Sequence, residues 1–223
     1  MNYETKIDTI EMAGQSLQLE MLSDVDQTID QLFEVYQANG QTELFEEMCP
    51  YFGTLWPAGK ILANKIADDI VSGEFGAFHP KGSRILEIGC GLALPSLLLT
   101  KAGWSVQATD LHPDVAAFLE RNKKLNQTVG PEYLSLDWRD ESPVAQTWDL
   151  IIASDVLYDK TQPATLLRFL MKALSPKGRA LVADPGRSYV EGFFTEAKKV
   201  GYQVSKAGMF GVVIGEIRRR EVR

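Results

Sequence analysis

Residues 84–96 read Arg84-Ile-Leu-Glu-Ile-Gly-Cys-Gly-Leu-Ala-Leu-Pro-Ser96, and the rest of the chain is organised around them. An apolar run over 84–88 ends at a glycine, and apolar residues at helical spacing resume at Pro95. The pattern predicts a strand, a tight turn and a helix. Gly89 and Gly91 have no Cβ, so a ligand can approach the main chain closely there. Such a turn is typical of nucleotide-cofactor sites.

An acidic residue, Asp110, stands about twenty residues beyond the glycines. Residues 105–109 predict a strand, and Asp110 follows at its end. A carboxylate in this position can hydrogen-bond both hydroxyls of a ribose. We include the next residue, Leu111, among the candidate cofactor-binding residues. At this point a dinucleotide and a methyl donor both remain open.

Glu87 separates the two cofactors. It lies two residues before the first glycine, where a dinucleotide would place its anionic pyrophosphate and meet like-charge repulsion. S-adenosylmethionine carries an ammonium and a sulfonium there instead. The dinucleotide fingerprint also requires glycine or alanine where Leu94 stands. The turn therefore favours S-adenosylmethionine over NAD.

The composition indicates one globular domain. The chain has 223 residues, of which 45% are hydrophobic and 24% charged, as in ordinary globular proteins. The net charge is −7, so a phosphate-neutralising surface and a nucleic-acid partner are not expected. The longest apolar run, 85–99, contains an acid, two glycines and a proline, which excludes a membrane span.

The cysteines and histidines predict neither a metal site nor a disulfide. Cys49 and Cys90 lie far apart, and neither forms a metal-type cluster with a histidine. His79 and His112 each precede a proline and are interpreted as surface loop residues. With no visible signal peptide, the expected compartment is a reducing cytoplasm.

The first fifty-six residues are predicted to form an extension of the single domain 1–223. Alternating residues on either side of Ala13-Gly14 predict a hairpin of strands 6–10 and 16–21. Asp24 is placed to cap a helix over 25–39, which ends before Gly40. We expect this hairpin and helix to cover the cofactor site.

From residue 85 onward strands and helices alternate. The pattern predicts strands over 85–88, 105–109, 132–136, 150–154, 179–183, 203–206 and 212–218, with helices over 95–102, 113–126, 163–174 and 190–200. This alternation indicates an α/β fold with a Rossmann-like, doubly wound seven-stranded sheet, mostly parallel and ending in an antiparallel hairpin.

Candidate site residues follow the predicted strands, because ligands of such sheets bind beyond the carboxyl ends of the strands. Asp137 and Trp138 follow the third strand, where they could contact an adenine or serve as a capped turn and a core residue. Ser154, Asp155 and Tyr158 follow the fourth. There Asp155 and Tyr158 could orient an acceptor amine for methyl transfer, or Asp155 could only cap a turn.

Five motifs together resemble those of the seven-β-strand, class I S-adenosylmethionine-dependent methyltransferases, and within them methyltransferase family 16, the protein-lysine methyltransferases. They are Leu55-Trp56-Pro57, Leu86-Glu-Ile-Gly-Cys-Gly91, Ala108-Thr-Asp110, Asp137-Trp138 and Ser154-Asp-Val-Leu-Tyr158. The last matches the family's Asp-x-x-Tyr motif, which is associated with catalysis and with the substrate lysine.

The resemblance implies roles for individual residues. Residues expected to contact the cofactor are Trp56, Gly89, Cys90, Gly91, Asp110, Trp138 and Ser154, while Asp155 and Tyr158 are expected to act in catalysis. Residues 50–59 and 184–187 look like the branch that methylates the β subunit of electron transfer flavoprotein. The chain departs from the family at Ala93, Ser154 and Cys90, which should alter affinity more than reaction type.

Three other functions remain open at the level of sequence. A small-molecule N-methyltransferase shares the same core, and an NAD-linked oxidoreductase is disfavoured by Glu87 and Leu94. A binding protein without turnover is a third. The acidic composition favours a basic protein segment as partner, and the Asn-Pro-Pro-Tyr motif of many base-modifying methyltransferases is missing after the fourth strand.

Overall fold

The computed structural model describes residues 3–77, 82–140 and 146–219 of the chain. Nine strands and seven α-helices lie in these residues. The strands are β1 (Thr5–Met12), β2 (Gln15–Leu22), β3 (Ile85–Ile88), β4 (Val106–Asp110), β5 (Glu132–Ser135), β6 (Trp148–Ser154), β7 (Leu174–Asp184), β8 (Tyr202–Met209) and β9 (Val212–Arg219). The helices are α1 (Val25–Ala38), α2 (Thr42–Met48), α3 (Pro57–Ser72), α4 (Leu94–Lys101), α5 (Val115–Leu125), α6 (Gln162–Ala173) and α7 (Ser188–Lys199).

The central sheet has seven strands in the order β5-β4-β3-β6-β7-β9-β8. The first five strands in this order, β5, β4, β3, β6 and β7, are parallel to one another. Strand β9 runs antiparallel to both of its neighbours, β7 and β8. The chain steps outward from β3 to β5 and then returns to the other side of β3 at β6. The order of strands therefore reverses between β3 and β6, which is where such sheets bind ligands. The predicted fold class is confirmed.

The sheet is covered on both faces, because successive side chains of a strand point to opposite sides. Ile85 packs into one apolar cluster with residues of α3, α4 and α5, whereas Leu86 packs into a second cluster with α6 and α7. Both residues are at most 1% exposed. Burial on both faces explains why the strands read as continuous apolar runs.

Strand β7 is longer than the sequence predicts. It begins at Leu174, directly after α6, whereas the sequence indicates a start at Arg179. Pro176 and Gly178 read as turn residues, but Leu174 pairs with Trp148 before a register irregularity, and the regular ladder resumes at Arg179. A local turn signal is overridden here by pairing with a neighbouring strand.

The N-terminal hairpin forms as predicted, with a turn at Ala13 and Gly14. Both residues have positive φ, 43° and 79°, as two-residue hairpins of the common type require. The hairpin packs against α5 through two asparagine side chains. Asn122 binds the backbone N–H and C=O of Glu20, and Asn126 binds those of Gln18. These amides pair with β2 as a neighbouring strand would.

Asn122→Ala is expected to destabilise the protein by about 2–4 kcal/mol, because it leaves two backbone groups of Glu20 without partners. Asn122 itself is fully buried, so water cannot easily replace the lost bonds. Chemical denaturation measures the effect, and Asn39→Ala, at the exposed end of α1, serves as control. A loss below about 0.5 kcal/mol, the usual range for surface changes, would contradict this role.

The predicted helix after Asp24 is α1, and a second helix, α2, follows it. The Asp24 carboxylate accepts a hydrogen bond from Gln27 N at 2.9 Å, which confirms the cap. Only Thr28 and Leu32 of α1 are buried, and no residue of α2 is. The two helices pack mainly on each other, with the Phe33 and Phe45 rings 5.2 Å apart.

Among the described residues, no helix is both long and apolar enough to cross a membrane. The same part of the chain contains no group of three or more His, Cys, Asp or Glu side chains arranged to hold a metal ion.

Candidate active site

A pocket opens at the reversal point between β3 and β6. Its empty volume is about 340 Å³, part of which opens to solvent. Fourteen residues line it: Thr54, Leu55, Trp56, Gly59, Glu87, Gly89, Cys90, Gly91, Leu92, Ala93, Leu94, Pro95, Ser154 and Asp155. They come from the segment that leads into α3, from β3 with the turn and first residues of α4 that follow it, and from the end of β6. We call this the glycine-turn pocket.

The turn after β3 uses backbone conformations that favour glycine. Gly89, Gly91 and Ala93 have φ of 59°, 50° and 56°. A Cβ on Gly91 would lie 3.2 Å from the backbone oxygen of Phe52, and a Cβ on Gly89 would lie 2.8 Å from a methyl of Val156. The glycines therefore let two neighbouring segments close around the turn. Ala93 takes the same conformation with a Cβ, at some cost in strain.

Glu87 is buried at the base of this pocket, with 1% of its surface exposed. Its carboxylate accepts hydrogen bonds from Ser96 N at 3.1 Å and from the Ser96 hydroxyl, both at the start of α4. Burial, with a smaller contribution from the charge of Asp110, raises the pKa of Glu87 to about 8, although the Ser96 hydrogen bonds oppose the shift. A buried acid with so high a pKa is ready to ionise when a cation binds beside it.

Asp110 lies at the end of β4, next to the glycine turn. One of its carboxylate oxygens accepts a hydrogen bond from Gly91 N at 2.9 Å, and the other accepts bonds from the N–H groups of Leu111 and His112. The carboxylate is thus fixed beside the turn, although it is not among the pocket's lining residues. Leu111 is 50% exposed.

Cys90 lies between the two glycines and lines the pocket. It is 7% exposed, and burial, followed by the charges of Asp110 and Glu87, raises the pKa of its thiol well above the usual value. The thiol is therefore neutral at physiological pH and is not a nucleophile. Both Cys49 and Cys90 are free.

Trp56 stands at the rim of the pocket, at the N-terminus of α3. It is 38% exposed, and its indole N–H donates to the Tyr51 carbonyl at 2.8 Å. The segment behind it is anchored by His112, which is buried against the Phe52 ring at 4.4 Å with Nε2 3.2 Å from the Met48 carbonyl. The prediction that His112 is a surface residue is wrong. His79 lies outside the described residues.

Ser154 and Asp155 meet the pocket from the end of β6. A Cβ on Gly59 would lie 3.3 Å from Ser154 Oγ, so the first turn of α3 packs closely on this strand end. Asp155 has a φ of 61°, a conformation that non-glycine residues rarely adopt and that concentrates at functional sites. Its Oδ1 pairs with Arg187 Nη2 at 2.9 Å, while its buried Oδ2 has no hydrogen-bond partner.

Tyr158 and the pair Asp137-Trp138 lie outside the pocket lining. Tyr158 is 67% exposed, so its ring is free to contact another molecule. The Asp137 carboxylate holds the guanidinium of Arg139 through bonds of 2.9 to 3.1 Å. Trp138 packs at the edge of the core cluster under α6 and α7. Roles for these three residues stay predictions.

Two residues of the site carry no role in the sequence analysis. Ser96 holds Glu87. The sequence signal that could have indicated this role is that Ser96 is a polar residue near the start of an otherwise apolar helix. Arg187 holds Asp155 and Asp184 together, with Asp184 Oδ2 2.9 Å from Arg187 Nη1. Arg187 follows a predicted strand, but nothing in the sequence indicates which acid it meets.

The pocket's chemistry fits S-adenosylmethionine. A cradle of glycines that a Cβ would fill gives room for a ligand against the main chain. Glu87 is a buried acid in the pocket lining, and Asp110 places a carboxylate beside the turn. Neither acid is matched by a basic side chain in the lining, so a positively charged ligand is better accommodated than an anionic pyrophosphate.

Comparisons with known proteins agree with this chemistry. A family model described as lysine methyltransferase matches residues 41–200. Histone-arginine methyltransferase METTL23 of Xenopus laevis is 30% identical over 137 residues, which cover 56% of this chain and 54% of that protein. The protein N-terminal and lysine N-methyltransferase efm7 of Aspergillus fumigatus is 28% identical over 180 residues, covering 70% and 67%. A ubiquinone biosynthesis O-methyltransferase of Hydrogenovibrio crunogenus is 28% identical over 144 residues, covering 57% and 58%.

The chain thus spans about half the length of the first of these relatives. Among solved structures, the magnesium protoporphyrin IX methyltransferase ChlM of Synechocystis, with bound S-adenosylmethionine, superposes with a TM-score of 0.57. The match covers 88% of this chain and 98% of that one at 17% identity, which supports the fold. Because the family model matches most of the sequence, the chain belongs to the lysine methyltransferase family, whose cofactor is S-adenosyl-L-methionine.

Proposed function

We propose that this methyltransferase transfers the methyl group of S-adenosylmethionine to the side-chain nitrogen of a lysine in a protein substrate. The observation that carries the proposal is Asp155. Asp155 lines the pocket with a side chain that is only 10% exposed, and one of its carboxylate oxygens is buried without a hydrogen-bond partner. A buried, unsatisfied carboxylate oxygen costs free energy unless a donor reaches it. An amine presented to the cofactor is such a donor.

The reaction requires mainly positioning. The cofactor supplies an activated methyl group, and the acceptor nitrogen must approach it in line with its lone pair free. Orienting two reactants in this way can lower a barrier by up to roughly 7–11 kcal/mol. We infer that Asp155 Oδ2 accepts a hydrogen bond from the amine and directs it, and that partial desolvation at the pocket mouth favours the neutral amine.

We infer roles for other predicted site residues that are consistent with this assignment. We infer that Glu87 faces the cofactor's cationic head, that Gly89, Cys90 and Gly91 cradle it, and that Asp110 binds its ribose. Trp56 and Ser154 close the pocket. Tyr158, exposed near the end of β6, is available to contact the substrate protein beside the lysine.

The charge distribution favours a basic protein segment as substrate. Between Lys6 and Lys60 the sequence contains ten acidic residues and no lysine, arginine or histidine. Seven of these acids lie on α1, on α2 or directly before α1, and all seven are exposed: Asp24, Asp26, Asp30, Glu34, Glu43, Glu46 and Glu47. The charge of Asp26 contributes to the raised pKa of Tyr51, and that of Glu47 contributes to the raised pKa of Arg139. Tyr51 stands next to Trp56, with their ring centroids 6.3 Å apart, so the acids of α1 and α2 act near the rim of the pocket.

The experiment is methyl transfer from radiolabelled S-adenosylmethionine into a cell lysate, resolved on a gel. A labelled protein band, with the label on lysine by mass spectrometry, supports the proposal. Label on arginine or only in small molecules contradicts it. Label found only in small molecules would favour a small-molecule methyltransferase, and ubiquinone biosynthesis O-methyltransferases are among the relatives of this chain.

Neutralising the acids of α1 is expected to weaken substrate binding more than turnover. The triple variant Asp26→Asn, Asp30→Asn, Glu34→Gln should raise KM for the labelled protein roughly three- to tenfold at low salt with little change in kcat, since charge complementarity acts mainly on association. The difference should shrink as salt screens the charges. A control triple, Asp8→Asn, Glu11→Gln, Asp68→Asn, removes as many exposed acids elsewhere. Equal effects of both triples would contradict a docking role.

We also infer a cytoplasmic location, because two free, buried cysteines fit a reducing compartment.

A further inference from the structure

Arg187 links the ends of two strands. It stands between β7 and α7, and its guanidinium pairs with Asp155 through Nη2 and with Asp184 through Nη1, both at 2.9 Å. Asp184 is fully buried, and its other oxygen accepts bonds from the backbone N–H groups of Gly186 and Arg187 at 2.9 and 2.7 Å. With every oxygen of Asp184 engaged, the arginine fork is fixed in direction.

This fixed fork leaves the two oxygens of Asp155 unequal. Oδ1 is held by the guanidinium, whereas Oδ2 is buried without a hydrogen-bond partner in a residue that lines the pocket. The Asp155 backbone N–H donates to the Ala183 carbonyl of β7 at 3.0 Å. The main chain and the side chain of Asp155 are therefore both tied to the same segment that carries Arg187.

Two segments of the chain place charged or polar groups against the Asp155 carboxylate. Arg187 and Asp184 face it from the end of β7, and the backbone N–H of Ala58 faces it from the first turn of α3. Burial raises the pKa of Asp155, the charge and hydrogen bond of Arg187 lower it, Asp184 raises it and Ala58 lowers it. Arg187 is the only basic side chain among these neighbours, so it is the charged group that opposes protonation of the buried carboxyl.

We propose that Arg187 is a positioning residue of the methyl-transfer site: it holds Asp155, a residue that lines the pocket, through Oδ1 and leaves Oδ2 to accept a hydrogen bond from the acceptor amine. The proposal rests on the role of Asp155 in the proposed function. The planar guanidinium suits this task because it binds two carboxylates in defined directions, which a lysine ammonium does not.

The test compares Arg187→Gln and Arg187→Lys with the wild type. Arg84→Gln is the matched control, since it removes the ion pair between Arg84 and Asp149 at the opposite end of the sheet. We expect Arg187→Gln to lower kcat roughly tenfold at pH 7, in line with a lost charge-assisted hydrogen bond, and to move the acid limb of the kcat–pH profile to higher pH. Arg187→Lys should restore that limb in part. The affinity for S-adenosylmethionine should stay within about twofold for all variants, because Arg187 does not line the pocket.

A rate loss that is equal at every pH, or no loss, would overturn the positioning role. A second measurement works without a known substrate: the carbon-13 carboxyl signal of Asp155, identified by its absence from Asp155→Asn, is followed against pH. It should titrate at higher pH in Arg187→Gln than in wild type, and an unchanged titration overturns the inference. If wild type methylates no lysine but this shift is seen, the proposed function fails while the link between Arg187 and Asp155 stands.

Discussion

Glu87→Gln is expected to weaken the binding of S-adenosylmethionine roughly ten- to a hundredfold, the equivalent of one charge-assisted hydrogen bond of about 1.5–3 kcal/mol. Glutamine has nearly the same shape and keeps an acceptor for Ser96 N, so the loss would report the charge. Calorimetric titration with the cofactor measures it. Glu132→Gln, on the exposed face of β5, is the control and should bind normally.

The same substitution should stabilise the cofactor-free protein in alkaline solution. Burial raises the pKa of Glu87 to about 8 from an ordinary value of 4.5, so the folded protein retains a proton that the unfolded chain loses in that interval. The stability from this proton is fully present below pH 4.5 and is lost as the pH rises through 8. Glutamine has no proton to lose. Its thermal midpoint should therefore gain on that of wild type as the pH rises from 4.5 to 8.

Proton release on binding provides a further check. At pH 7 Glu87 is largely protonated in the free protein, and a cationic ligand beside it favours the ionised form. Calorimetry in buffers of different ionisation enthalpy should therefore show up to about one proton released by wild type and a smaller number by Glu87→Gln. Unchanged affinity, or the same proton release from both proteins, would show that Glu87 does not face the cofactor's charge.

The sequence was sufficient for the fold because local signals and tertiary structure agree over most of the chain. Strand β3 is a four-residue apolar run that stops at a glycine, and α1 begins directly after its predicted cap, Asp24. Where the two disagree, long-range contacts decide. β7 begins five residues early because β6 pairs with it, and His112 is buried because Phe52 packs on it. Neither contact can be predicted from the local sequence, because each joins residues that are far apart in the chain.

The sequence predicts the site residues at the strand ends, but it does not predict the side chains that hold them in place. Glu87 and Gly91 lie at the carboxyl end of β3, and Asp155 lies at that of β6. Because the two strands are parallel neighbours in one sheet, topology alone brings these residues together. The partners that set their chemistry, Ser96 and Arg187, depend on side-chain directions within loops and helix starts. Such directions follow from packing, which periodicity does not encode.

Asp155→Asn is expected to lower kcat roughly a hundredfold, within the range of positioned acid–base groups, while the protein still folds and binds S-adenosylmethionine. Asparagine is the suitable replacement because Asp155 has a φ of 61°, and asparagine tolerates this conformation as well as aspartate does. The backbone should therefore keep its path. What changes is the acceptor for the amine, since an amide offers one neutral oxygen in place of two charged ones.

Two comparisons separate this chemical effect from a structural one. Arg187 loses a charged partner in Asp155→Asn, which should cost about 1.5–3 kcal/mol of stability, so activity is measured well below the thermal midpoint of the variant. Asp68→Asn makes the same substitution at an exposed position of α3 and should retain full turnover. If Asp155→Asn binds the cofactor and methylates the lysate protein at the wild-type rate, the acceptor amine is oriented by other groups and the role of Asp155 is wrong. A hundredfold loss at unchanged cofactor affinity places Asp155 at the acceptor, because a group that acted only on the cofactor would change its binding as well.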